Sequence, residues 1–426
     1  MTTVATPGSA RARSLAERVL QDPGGAADPQ GDLAPIRESE PVFVGDGGVV
    51  LVTGYDEARA TYADSARYSN AGGMDREAEW YERYATDPAE AQLARTMFAS
   101  MMFTSDGDGH ARRRALVREF FSVRAVAALR PTVDSIVAEL IDEVRDVESF
   151  EALRMLGFPL AERVICEILG APFEDFHLWE EWARVIGEFP RTRQPTEIEV
   201  QDYVAASMGF LRYFESLIDK RRTSPGDDLI SHMIAAADDE RMSPDELVAN
   251  IVLIINAGHD TTANMVVNGL DALLRHPDQY RALRDDPDLV PSAVEEMLRY
   301  EPSASFPFPR RATAPGEVAG CPVPQGAMVL IANHAAGRDE RVFEEPDRLD
   351  VRRYVGRGAT PHLAFGFGIH RCVGEHLARA ELESMFRAIV TELPELEIVV
   401  RGAWRHGFHR HMEGLYVRRR DARGAE

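Results

Sequence analysis

Residues 243–275 constrain the fold of this chain more than any other stretch. Ser243-Pro244-Asp245-Glu246 is a capping box with proline at the first helical position, and the helical pattern runs on to Arg275, ahead of His276-Pro277. At 1.5 Å per residue such a helix is about 45 Å long. From 247 to 257 it is apolar on nearly every face apart from Asn250 and Asn256, so it has to cross an interior rather than lie on a surface. The flanking sequence fits that demand. From Asp56 to about Val290 the pattern is mostly helical, as in Leu160, Val164, Ile165, Ile168 and Leu169, stopped by Gly170. Before it, Pro41 to Val44 and Val49 to Val52 flank a Gly/Asp turn and predict a hairpin. Beyond Tyr300 come short strands and turns, around Val318 and 327–331, then a helix after Cys372 that ends before Pro394. A β-like pair, 396–400 and 415–417, closes the chain. The fold class is mainly α, with small sheets.

Composition narrows the function. The 426 residues carry a formal net charge of -22, which argues against a general nucleic-acid binder or a membrane-surface protein. Three cysteines (Cys166, Cys321, Cys372) are too few for a disulfide framework and fit a reducing cytoplasm. No segment approaches the ~20 apolar residues of a membrane span, so a soluble protein without membrane contact is expected. Residues 1–30, rich in Ala, Gly, Pro and Asp, read as a flexible tail. No Pro/Gly/Ser-rich linker divides the rest, and 31–426 reads as one large domain.

Chemistry concentrates in Phe365-Gly366-Phe367-Gly368-Ile369-His370-Arg371-Cys372-Val373-Gly374. Cys372 precedes a helical run, which places its sulfur at a helix N-terminus where free amides and the dipole favour thiolate. The glycines allow close backbone approach to a flat ligand. An ordinary buried thiol is one alternative. A zinc cluster with His362, His370 and His376 is another, although no second cysteine lies nearby and the glycine frame has no part in it. A thiolate in such a cradle suits the proximal ligand of a haem iron. The segment resembles the signature Phe-Gly-x-Gly-x-His-x-Cys-x-Gly of the cytochrome P-450 superfamily at every fixed position.

The central helix adds a second motif. Ala257-Gly258-His259-Asp260-Thr261-Thr262 is a polar patch where burial predicts leucines, and buried polar groups need partners. A helix end dipping into solvent, or threonine hydroxyls bonding back to carbonyls, would explain it structurally. By resemblance to the family's oxygen-binding helix it is instead a local opening for dioxygen and water. Ala257 and Gly258 then lie against the cofactor, Thr261 stabilises reduced dioxygen, and Asp260 relays protons inward. His259, at the variable position, has no catalytic role.

The resemblance also assigns a frame. Glu296 and Arg299, at i, i+3, could be a surface ion pair. In the family such a pair joins a second arginine, here Arg353 beside Arg352, to brace the cysteine loop. His110 and Arg114, Arg310 and His370 are the implied partners of the haem propionates, since arginine is the preferred carboxylate partner. Phe365, Gly366 and Gly374 complete the cradle around Cys372. Arg112 and Arg113 read as an exposed basic patch that steers an acidic electron donor. Substrate-facing candidates by position are Met97, Met102, Ile254, Ala257, Ser305 and Phe306. The pairs Trp80/Tyr84 and Met97/Met101, at i, i+4, could equally be buried faces of local helices.

The resemblance spans roughly residue 37 to the C-terminus and resembles the soluble bacterial type. It implies a cytoplasmic haem b (iron protoporphyrin IX) monooxygenase that inserts one atom of O2 into a small organic substrate, a secondary metabolite, by hydroxylation or epoxidation. Electrons would arrive from ferredoxin and ferredoxin reductase. Other haem-thiolate chemistry (phenol coupling, desaturation, peroxygenation) and a non-catalytic partner protein are the alternatives.

Overall fold

A computed structural model describes residues 7–21, 29–45, 48–71, 77–189, 194–238, 241–356, 358–393, 395–405 and 409–420. Its packing divides the chain into two units: Met1–Tyr68, Ala128–Ala161 and Asp260–Glu426 form the first, Ser69–Ala127 and Glu162–His259 the second. The sequence had suggested one domain over 31–426.

The first unit is built around a five-stranded sheet with the spatial order Val42–Val44, Val50–Val52, Met328–Ile331, Arg310–Ala312, Tyr68–Ser69. Its first two strands are the predicted hairpin, antiparallel with Phe43 opposite Leu51. Strand Val50–Val52 then runs parallel to Met328–Ile331. Side chains alternate along these strands as the two-residue period requires. Val50, Val52, Val329 and Ile331 face a cluster with Tyr55, Ala58 and Tyr62. Phe43, Leu51 and Leu330 face the opposite cluster, with Ala16, Val19, Leu20 and Ile36.

That second apolar face corrects the expectation of a flexible tail. Residues Pro7–Gln21 form a helix, and its Ala16 and Val19 are fully buried. A sheet apolar on both faces needs a second cover, and the alanine-rich segment supplies it. Residues 1–6 and 22–28, also within that expectation, lie outside the described residues.

Helices Val290–Tyr300 and Glu375–Glu392 also belong to this unit and pack on each other. Strands Phe150–Glu151, Tyr416–Arg419 and Leu396–Val400 form a small sheet that includes the predicted closing pair.

The second unit is helical. Helix Glu197–Thr223 lies against Phe176–Glu188 and Pro88–Ala99, around a fully buried Trp179 that touches Phe176, Phe210 and Phe214. Helix Pro244–Arg275 contributes residues to both units and has the expected bounds. Ile251, Val252, Ile255, Val266, Val267 and Leu270 along it are fully buried. Both halves of the expected capping box are present. Ser243 Oγ accepts the Glu246 N–H at 3.1 Å, and Glu246 Oε2 accepts the Ser243 N–H at 3.0 Å. Ser243→Ala is therefore expected to cost about 1 kcal/mol. Denaturant unfolding followed by circular dichroism reads that loss.

Candidate active site

Residues 365–374 form a loop closed on itself. The Cys372 N–H donates to the Phe365 carbonyl at 2.9 Å, and the Gly366 N–H donates to Leu363 O at 2.8 Å. A short 3-10 turn, Gly368–His370, precedes Gly374, the N-cap of helix Glu375–Glu392. Gly366 and Gly368 have φ of 67° and 77°, in the left-handed region. At Gly368 a Cβ would also lie 2.6 Å from the Tyr62 carbonyl, so only glycine fits.

The cysteines differ in access. Cys166 is buried, and burial together with nearby Glu162 pushes its thiol up to about 12. Cys321 is half-buried and Cys372 is exposed. Among the described residues no group of three or more His, Cys, Asp or Glu could hold a metal ion, which speaks against the zinc cluster. The exposed Cys372 thiol just before a helix N-terminus, in a loop where Gly366 and Gly368 carry no side chain, fits a metal whose other ligands come from a flat cofactor.

Glu296 and Arg299 are not a surface pair. Both side chains are fully buried, with Arg299 Nε 2.7 Å from Oε2 and Nη2 2.8 Å from Oε1. Arg353, rather than Arg352, is the third member, with Nε 3.0 Å from the same carboxylate. The carboxylate also accepts the Asp350 N–H, while Arg299 Nη1 donates to the carbonyls of Gly337 and Pro346. Breaking one member of such a buried set costs about 3–5 kcal/mol.

The polar patch of the central helix interrupts its burial. Ala257 is exposed, and Gly258, Asp260 and Thr261 are half-buried, between turns that are largely buried. His259 is buried against the Phe176 ring, with Nε2 3.2 Å from Glu162 Oε1. At Gly258 a Cβ would meet Ile165 Cδ1 at 2.8 Å. Thr262 turns inward, and its hydroxyl donates to Glu381 Oε2 at 3.4 Å.

His110 is buried and Arg114 half-buried on helix Gly107–Arg118. Their neighbours are paired with an acid. Arg112 and Arg113 both bind Glu246, at 2.6 and 2.7 Å, and Arg113 also donates to Ser105. Two guanidinium groups share this one carboxylate at the start of the central helix, so the cluster keeps a net positive charge and Arg112 stays exposed. Burial opposes ionisation of Glu246, yet the two guanidinium groups and the Ser243 N–H hold its carboxyl down to about 2. Arg310 is buried, donating to the Tyr68 carbonyl at 3.1 Å with its guanidinium over the Tyr62 ring. His370 is half-buried in the cysteine loop.

The substrate candidates separate. Met97, Met101, Met102 and Ile254 are buried in the second unit, and the Met102 N–H is held by Asn250 Oδ1 at 2.8 Å. On helix Glu77–Tyr84 the buried residue is Tyr81, whose ring meets Tyr203; Trp80 and Tyr84 are half-buried. Phe306 is not a pocket wall. It packs in the sheet core with Leu51, Leu330 and Ala332 and edge-on to His334. The Ser305 hydroxyl is spent on His334 Nδ1 at 2.7 Å.

Sequence reasoning missed Glu381. It lies in the helix after Cys372, 3 % exposed, and its signal was a carboxylate among Leu377, Ala380, Leu382 and Met385. Burial raises its carboxyl from 4.5 to about 8, against a small opposing contribution from Thr262. The folded chain thus keeps a proton that the unfolded chain releases near 4.5. Stability from this group is complete below pH 4.5 and is lost as pH rises through about 8. One proton corresponds to a slope of at most about 1.4 kcal/mol per pH unit. Glu381→Gln, which keeps a partner for Thr262, is expected to flatten that slope in unfolding titrations between pH 5 and 8.

Comparison with known proteins agrees with this geometry. The Cytochrome P450 family profile matches residues 199–394. The chain is 37% identical over 377 residues to 6-deoxyerythronolide B hydroxylase of Saccharopolyspora erythraea, covering 86% of this chain and 88% of that one. It is also 37% identical to cytochrome P450 monooxygenase PikC of Streptomyces venezuelae, over 88% of this chain and 86% of that one. The solved structure of CxnD, a P450 enzyme for C–S bond formation in chuangxinmycin biosynthesis, superposes with a TM-score of 0.82 at 33% identity, covering 94% of this chain and 96% of that one. The chain belongs to the cytochrome P450 family, and it is a monooxygenase that carries haem b through a thiolate.

Proposed function

We propose that this enzyme inserts one oxygen atom from O2 into a small organic substrate of secondary metabolism, by hydroxylation or epoxidation, with electrons from a ferredoxin and its reductase. The observation that carries this reading is the exposed Cys372 thiol in its glycine-framed loop at a helix start. Cys372 is the haem ligand, Phe365, Gly366 and Gly374 form its cradle, and Glu296, Arg299 and Arg353 hold the segment around it. His110, Arg114, Arg310 and His370 bind the propionates. Bound haem supplies the redox chemistry that activates dioxygen with two electrons and two protons.

The remaining steps belong to side chains. Ala257 and Gly258 keep bulk away from the cofactor face, with Met97, Met102 and Ile254 as candidate apolar contacts for substrate. Thr261 holds a proton at its hydroxyl, and Asp260, half-buried beside it, replenishes that proton from solvent. The enzyme is assigned to the cytoplasm; among the described residues no helix is long and apolar enough to cross a membrane. Similarity to the 6-deoxyerythronolide B hydroxylase of Saccharopolyspora erythraea supports hydroxylation.

A second reading, oxidative bond formation without oxygen insertion, is supported by the resemblance to the C–S bond-forming enzyme. Mass analysis of the product formed under 18O2 separates the two, since only insertion labels it.

The dithionite-reduced protein under carbon monoxide is expected to show a strongly red-shifted Soret band, and Cys372→Ala is expected to abolish it. An unshifted wild-type band would refute Cys372 as ligand. Thr261→Ala is expected to keep consuming O2 while product per O2 falls about tenfold or more. Wild-type coupling in that variant would remove Thr261 from the proton path.

A further inference from the structure

We propose that Glu295 is a second brace of the cysteine loop: through Arg379 and His362 it positions the Phe365 ring, and with it the carbonyl that holds the Cys372 backbone. The inference rests on the reading of Cys372 as the haem ligand. Glu295 is adjacent to Glu296 on helix Val290–Tyr300 but faces other partners. Arg379, from helix Glu375–Glu392, grips it in a two-point fork, Nε 2.6 Å from Oε1 and Nη2 3.1 Å from Oε2. The third arm, Nη1, reaches Glu375 Oε2 at 2.8 Å, and that carboxylate also takes Arg371 Nη2 at 2.6 Å. So held, the Arg379 guanidinium lies over the Phe365 ring, 4.6 Å from its centroid.

The His362 ring also packs against Phe365, its centroid 5.7 Å away and tilted by 46°. Its Nδ1 accepts the Ala364 N–H at 3.1 Å, which leaves the ring proton on Nε2, 3.3 Å from Glu295 Oε2. That contact is close enough for electrostatic attraction without being aligned as a hydrogen bond. Burial opposes ionisation of Glu295, yet His362 and Arg379 beside it hold its carboxyl down to about 2, and it stays charged at neutral pH.

The reason such a clamp is needed is local. Phe365 is half-buried and followed by Gly366 at positive φ, so the backbone there has little stiffness of its own. Its carbonyl nevertheless accepts the Cys372 N–H at 2.9 Å. Groups one shell out from a metal ligand set its orientation and donor strength. The continuous path Glu295–Arg379–Phe365–Cys372 makes Glu295 a positioning residue, with no contact to substrate.

The test uses the purified haem-loaded protein and reads its ferric–ferrous midpoint potential by spectroelectrochemistry. Glu295→Gln is expected to change the reduction equilibrium at least fivefold, about 40 mV at 59 mV per tenfold for one electron. Glu295→Asp is expected to recover part of the shift. In a Phe365→Leu background the Glu295→Gln effect should fall below about twofold, because coupled residues are non-additive. An unchanged potential in Glu295→Gln overturns the proposal. A shift that persists in full with Phe365→Leu also overturns it, since that is a bare charge effect. If Glu295→Gln does not accumulate folded, Arg379→Lys serves instead; it keeps the charge, loses the fork, and carries the same expectations. A wild-type carbon monoxide complex without the thiolate-type Soret would refute the reading of Cys372 and this inference with it.

Discussion

One fully buried carboxylate, Glu296, shared between two guanidinium groups, organises the first unit around the cysteine loop. A charge at that depth is tolerable only with every lone pair engaged, and Arg299, Arg353 and the Asp350 N–H engage them. The arginines pass the constraint on. Their remaining donors fall on the carbonyls of Gly337, Pro346, Glu344 and Arg348, main-chain groups with no regular strand or helix to satisfy them. An irregular segment thereby acquires a fixed shape. At Gly337 a Cβ would sit 2.5 Å from the Arg299 carbonyl, so the packing around this set leaves no room for a side chain.

The same solution recurs wherever the chain departs from regular structure near its chemistry. Glu246 caps the central helix and collects Arg112 and Arg113. Glu295 collects Arg379 and His362 beside Phe365. Asp271, fully buried on the central helix, collects Arg275 and Arg401. Each acid sits on a helix, where its position is fixed by backbone hydrogen bonds; Arg112, Arg113, Arg379 and Arg401 reach it from other parts of the chain, and Arg275 from one turn along the same helix. Arginine suits this use because its planar fork loses little freedom per bond formed. Glu381, a buried acid beside the Thr262 hydroxyl, keeps its proton instead.

Much of the candidate site was legible beforehand. Spacing alone carries the glycine loop, Cys372 and the helix behind it, because φ > 0 and dipole arguments depend on residues adjacent in sequence. The central helix was likewise readable to its ends, since a capping box and a following His-Pro are local signals. Pairing across distance was not. Arg352 and Arg353 are indistinguishable in sequence, and only the direction of the side chain selects Arg353. Arg112 and Arg113 looked like a solvated face because Glu246 is far away along the chain. Phe306 looked like a pocket wall because nothing in its neighbourhood reveals the sheet core on which it lies.

The N-terminal helix marks the same division. Composition makes residues 1–30 look like a tail, since alanine and glycine carry little apolar surface of their own. The face that helix Pro7–Gln21 covers, Phe43, Leu51 and Leu330, assembles only when strands separated by hundreds of residues pair. The sequence by itself determined the family, the glycine-framed thiol, the polar motif of the central helix and the helical class, all written in short-range spacing and periodicity. Tertiary structure alone decided which charges meet, which acid is left neutral and which apolar residues line the core, because burial and charge compensation are properties of contacts between segments.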